Sequence, residues 1–209
     1  MIKKFSYGLA CSAFALASLG SATVLTPGTS GAGSGFSNAG FTLLASTGVQ
    51  ALSSGTFTAN AMAWVYSDTN NSFCAGCLDF VYQVTRTSGT DPIERITGGS
   101  FTGYLTNVGW VAGSPGVTPT SVDRSTGTGS VIGFNYAGAS ALTGTQGTQI
   151  LVVQTNATRY TAGLMSAIDQ QSANGVAFQP ASVPEPISMS LLGSGLALLG
   201  MARWRRKKS

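Results

Sequence analysis

The sequence predicts an all-β protein, a β-sandwich or jelly roll, and three observations carry that prediction. Short runs rich in β-branched and aromatic residues recur along the chain. Clusters of Gly, Ser, Asp and Pro, such as Ser88-Gly89-Thr90-Asp91-Pro92 and Ala112-Gly113-Ser114-Pro115-Gly116, separate them as turns. No stretch between residues 23 and 182 shows the 3.6-residue apolar period of an amphipathic helix.

The chain opens on a segment that does not belong to the fold. Lys3 and Lys4 precede an apolar run over residues 7–19, and Gly20-Ser21-Ala22 supplies the small residues that signal peptidase requires. Residues 1–22 therefore read as a secretory signal peptide cleaved after Ala22. The apolar run is too short to span a bilayer as an anchor. Gly8 stands where a lipoprotein signal carries Leu, which argues against lipidation at Cys11.

Residues 23–40 are rich in Gly, Ser and Thr and read as a flexible lead-in or an irregular first strand. Strands are then expected over 41–46, 56–66, 78–85, 95–101, 104–111, 117–122, 130–136, 148–155, 159–164 and 175–178. The clearest is Leu78-Asp79-Phe80-Val81-Tyr82-Gln83-Val84-Thr85, in which Phe80, Tyr82 and Val84 share one face of a period-two strand. Residues 148–155 are almost continuously apolar, as in a strand covered on both sides. Residues 165–172 are expected to form a single helical turn, and no fixed-period repeat is present.

The character of the chain changes after Ala181. Val183-Pro184-Glu185-Pro186 is stiff and extended, because each proline fixes its own φ and biases its predecessor away from helix. Residues 187–202 are apolar and read as one transmembrane helix. Sixteen residues at the helical rise cover about 24 Å, a little short of a hydrocarbon core of about 30 Å. Trp204 at the interface and snorkelling arginines make up the difference. The basic cluster 203–208 should stay on the cytoplasmic side, which agrees with an exported body. Three regions result: a signal peptide over 1–22, a β-sandwich ectodomain over 23–182, and a tail over 183–209.

The formal net charge of +4 misleads, because it sits at the termini. Between residues 23 and 183 there are four arginines, six carboxylates and no lysine, a net charge of −2. Nucleic acid is therefore not an expected partner.

The order Val183, Pro184-Glu185-Pro186, one apolar segment and a basic terminus resembles the PEP-CTERM sorting domain of exopolysaccharide-producing Gram-negative bacteria. That resemblance implies an exosortase, a membrane cysteine protease, as partner. It would recognise Pro184, Glu185 and Pro186, cleave near them and transfer the body to a surface acceptor. It further implies an inner-membrane intermediate, then the cell surface or extracellular matrix, with extracellular polysaccharide as a partner. The run Leu78–Thr85 is also similar to one found in exported PEP-CTERM proteins of unknown function, which brings no activity with it.

The chain contains no histidine, so Ser-His-Asp and Cys-His catalysis and histidine-ligated zinc are excluded. No catalytic residue, metal ligand set or cofactor is expected. Asp91 and Glu94 are the only carboxylates close in sequence that invite a glycosidase-like pair, and they flank a turn where acids are usually solvated. Cys74-Ala75-Gly76-Cys77 has redox-motif spacing, but a thioredoxin-like site would open a helix, and here a strand follows. In an oxidising compartment the pair reads as a small-loop disulfide. Two cysteines are too few for a four-ligand zinc site. Asn70-Asn71-Ser72 and Asn156-Ala157-Thr158 have sequon spacing, which arises by chance in a chain this rich in Ser and Thr. Trp64, Tyr66, Tyr104 and Trp110 either fill the core or stack on sugar rings. The expected function is a non-enzymatic surface or matrix protein. The alternatives are a carbohydrate-binding module or adhesin and, third, an exported hydrolase.

Overall fold

The computed structural model describes residues 23–181. The signal peptide expected over 1–22, its cleavage site after Ala22, and the tail expected over 183–209 lie outside the described residues. Among the described residues no helix is long and apolar enough to cross a membrane.

The described residues form thirteen strands: β1 (Ser30–Gly31), β2 (Ser34–Phe36), β3 (Phe41–Ser46), β4 (Gln50–Ser53), β5 (Phe57–Asp68), β6 (Cys77–Gly89), β7 (Arg95–Gly98), β8 (Thr106–Val111), β9 (Ser121–Arg124), β10 (Ile132–Asn135), β11 (Leu151–Thr155), β12 (Tyr160–Asp169) and β13 (Gln171–Pro180). They make two sheets. One has the order β1-β9-β10-β7-β12-β13, the other β2-β8-β11-β6-β5-β3, with β4 also paired to β5. The strand pairings are antiparallel except β2 on β8.

The long β5–β6 hairpin shows why these residues take this form. Its register sets Ala63 opposite Tyr82, Ala61 opposite Val84 and Val65 opposite Phe80. Small residues on β5 leave room for the large rings of β6, and both sets point to one face. The other sheet contributes Ile96, Ile132, Phe134, Met165 and Ala167 to the same core. Phe80 meets Phe101 edge to face, with ring centroids 5.7 Å apart. Each such side chain contributes about 1.5–3 kcal/mol by burial. Strand β11 is buried along its whole length, as its apolar run predicts.

Arg124 fastens the first described residues to this core. Only 5% exposed, it donates hydrogen bonds to the carbonyl oxygens of Leu25, Phe101, Tyr104 and Gly129 and to Thr106 Oγ1. A buried guanidinium is tolerable because its planar fork of N–H groups finds oxygens on all sides.

Three expectations change. Residues 165–172 are not a helical turn: β12 runs to Asp169, and a tight reversal at Gln170 (φ 30°) leads straight into β13. Burial there alternates, with Met165, Ala167 and Asp169 covered, and pairing to β7 decides the conformation. The strand expected over 117–122 begins only at Ser121, and Val117 makes an isolated bridge to Thr148. Pro119 lacks the N–H a ladder needs. Strand β4 was not anticipated, because Gln50-Ala51-Leu52-Ser53 carries a single large apolar side chain, buried Leu52.

Candidate functional site

Because Leu78, Phe80, Tyr82 and Val84 fill the core, the alternate residues of β6 face outward on the seven-stranded sheet. Val81 has Trp64 and Val152 as its neighbours across the ladder, and Asp79 has Tyr66 and Gln154. Phe41 lies beside Asp68, and Leu43 beside Tyr66. An outer sandwich face is ordinarily polar. Here Phe36, Val81, Val111 and Val152 form a buried stripe under half-buried Phe41, Trp64, Tyr66 and Ile150. The Phe41 and Tyr66 rings are 4.9 Å apart and tilted by 30°. A cleft of about 250 Å³ opens here, lined by Asn38, Phe41, Tyr66, Val81, Val111 and Ile150, none of them charged. Burial raises the Tyr66 hydroxyl above its ordinary pKa, so it stays a protonated donor.

At one end of the stripe lies a closed polar network. Asp68 and Asp79 are both fully buried. Gln154 Nε2 donates to Asp68 Oδ2 (3.1 Å) and Asp79 Oδ2 (3.4 Å), and Asn71 Nδ2 donates to Asp79 Oδ1 (2.7 Å). The Asn70 N–H donates to Asp68 Oδ1 (2.8 Å). Burial and the neighbouring Asp68 charge push Asp79 up to about 8, so at neutral pH it holds a proton. With every oxygen accepting a hydrogen bond, the pair holds the 69–76 loop in place. Asn71, only 8% exposed, is locked into this network, and the sequon asparagine Asn156 accepts from the Leu105 N–H, whereas the other sequon asparagine, Asn70, is exposed.

The same loop ends in the cysteine pair. Cys74 and Cys77 are joined by a disulfide, with Cα atoms 5.3 Å apart, and Cys77 is the first residue of β6. No helix follows it. The four sequence-selected aromatics divide. Trp64 and Tyr66 stand on the outer face. Tyr104 packs against the core and donates its hydroxyl to the Ala181 carbonyl, and Trp110 lies against Gly33.

Asp91 and Glu94 flank the β6–β7 turn, as their sequence suggests. Glu94 lines a cleft of about 330 Å³ together with Asp169, and Asp91 neighbours Asp169. Among the described residues no three His, Cys, Asp or Glu side chains converge as a metal set. Phe41, the Asp68–Asp79 pair and Asp169 escaped the sequence reading. Each acquires meaning only from a cross-strand partner, and no spacing along the chain announces it.

The sorting residues Pro184, Glu185 and Pro186 lie outside the described residues. They fall within residues 182–207, which match the family model of the PEP-CTERM protein-sorting motif. This chain carries a PEP-CTERM sorting motif. The PEP-CTERM match spans the proline pair, the apolar run and most of the basic cluster. No curated protein and no solved structure matches the chain.

Proposed function

We propose that this is an exported surface or extracellular-matrix protein, delivered through its PEP-CTERM tail and not itself an enzyme. The observation that carries the reading is the match over residues 182–207, at the end of a chain whose body is a two-sheet β domain. Signal peptidase removes residues 1–22. The apolar segment 187–202 then holds the chain in the inner membrane while an exosortase-like protease acts at Pro184-Glu185-Pro186. A body with a net charge of −2 and no histidine fits this passive role. The test replaces all three motif residues with alanine and follows cell fractions with an antibody to the body. Accumulation of a longer, membrane-retained species is expected. Unchanged size and location would defeat the sorting role.

The outer face of the seven-stranded sheet favours a second reading, a carbohydrate-binding module or adhesin. Phe41, Trp64 and Tyr66 offer ring faces beside an uncharged cleft, and a sugar's C–H face stacks on such rings. A neutral polysaccharide suits it better than an acidic one, because no lysine or arginine lines the cleft. Affinity electrophoresis in gels cast with extracellular polysaccharide reads this directly. Retardation that Tyr66→Ala and Trp64→Ala abolish, with unfolding midpoints preserved, is the expected result. Equal mobility of the wild type with and without polysaccharide would remove the reading.

A further inference from the structure

The two ends of the sandwich differ in charge and in apolar exposure. At one of them the chain passes into its tail. Ala181, the last described residue, is fastened there on both sides: its carbonyl accepts from the Tyr104 hydroxyl (2.7 Å) and its N–H donates to the Arg159 carbonyl (3.0 Å). The Leu105 N–H in turn donates to Asn156 Oδ1 (2.9 Å). These bonds draw the β7–β8 loop, the β11–β12 turn and the end of β13 together, and Leu105, Arg159 and Tyr160 stand exposed on them. Leu105 is 47% and Tyr160 37% exposed, and Arg159 is the one exposed arginine among the described residues.

Exposed carboxylates are kept away from this end. Asp68 and Asp79 lie near it but are buried in their amide network. Exposed Glu94 and half-buried Asp91 sit with buried Asp169 at the opposite end, beyond the ten residues of β13, about 30 Å away. Asp123 is paired with Arg95. A single exposed leucine is ordinary on a soluble protein. A leucine, a tyrosine and an arginine grouped without an exposed acid match the chemistry of a lipid headgroup layer. The aliphatic side chain enters it, the tyrosine ring sits at its boundary, and the guanidinium meets phosphate.

We propose that this end of the body rests on phospholipid headgroups while the tail holds the chain in the membrane, with Leu105, Arg159 and Tyr160 making the contact. The inference rests on the reading of residues 187–202 as a membrane span and adds the orientation of the body to it. Chain length demands a close approach. The six steps from Ala181 to Ile187 cover at most about 20 Å, and the headgroup layer takes about 5–8 Å of that. The acidic end then points away from the lipid. Pro184-Glu185-Pro186 begins three positions after Ala181, so it is held within about 10 Å of the body, at the bilayer surface where a membrane protease works.

The test reconstitutes the chain, tail intact, into vesicles of phosphatidylethanolamine and phosphatidylglycerol. Photoreactive benzoylphenylalanine stands in place of Leu105, of Tyr160 or, at the opposite end, of exposed Thr90. Flotation selects the chain that the tail holds, and illumination links the probe to lipid. Lipid adducts from positions 105 and 160 but not from position 90 are the expected result. Arg159→Gln removes one cation from the contact and should lower the yield from 105 by about fivefold, the effect of one basic side chain at an anionic surface. Equal yields from the two ends, or none from 105 and 160, in chain that floats would overturn the docking and leave the anchor standing. So would a yield that Arg159→Gln leaves unchanged, since the tether alone would then account for it. A chain that does not float removes the anchor itself, and the docking with it.

Discussion

Replacing Asp79 by asparagine should make the protein more stable, and increasingly so as the pH rises. In the unfolded chain the carboxyl loses its proton near its ordinary value of 3.8, whereas in the folded protein it keeps the proton up to about 8. Between those values the folded state binds one proton more than the unfolded state, so raising the pH favours unfolding. The slope is about 1.4 kcal/mol per pH unit for one proton, several kcal/mol across the window. Asparagine mimics the protonated acid. Its oxygen can accept from Asn71 Nδ2 as Asp79 Oδ1 does at 2.7 Å, and its amide can donate toward Asp68. The variant lacks the titration. Urea unfolding of both proteins at about pH 5, 6, 7 and 8, with the disulfide kept oxidised, measures the difference. Other groups titrate in both proteins and cancel. Asp169 is raised by burial and by Asp91, so it adds a loss of the same sign. Asp123, lowered chiefly by its hydrogen bond from Arg95, stabilises above the ordinary carboxylate range and loses that contribution in acid. The gap between variant and wild type should widen by more than 1 kcal/mol per unit through the neutral range. Parallel profiles, or a variant less stable than wild type at pH 8, would refute the shared-proton account.

Two further outcomes follow from the fold. Arg124→Met leaves the carbonyls of Leu25, Phe101, Tyr104 and Gly129 without their buried donor, and should cost about 3–5 kcal/mol by chemical denaturation. Exchange of the 23–29 amides should quicken at the same time, because Leu25 loses its clip. Replacing both Cys74 and Cys77 by serine opens a loop with a sequence separation of only 3, so the entropic loss is about 2 kcal/mol, small for a disulfide. Intact mass with and without reductant, before alkylation, checks that the bond exists.

Much of the architecture is legible in the sequence because strand formation here is a local matter. The alternation in Asp79-Phe80-Val81-Tyr82 marks a face before any partner is known, and the continuous apolar run of residues 148–155 marks a strand covered on both sides. The sorting tail is legible for the same reason: prolines, an apolar span and terminal arginines act through their order along the chain. Elsewhere the local signal is too weak. Met165-Ser166-Ala167-Ile168 has no marked preference, and its place between β7 and β13 makes it continue the strand. Trp64, Tyr66, Tyr104 and Trp110 look alike in sequence, and only the sheet register sends the first two outward and the others to structural posts. The two acidic pairs separate in the same way. Asp68 and Asp79 are eleven positions apart, Asp91 and Asp169 seventy-eight, and neither distance announces a pair. The sequence by itself determined the sorting motif of residues 182–207, since such signals are read as linear segments. The tertiary structure decided which carboxylates meet and which donors face them, because those contacts are made across strands.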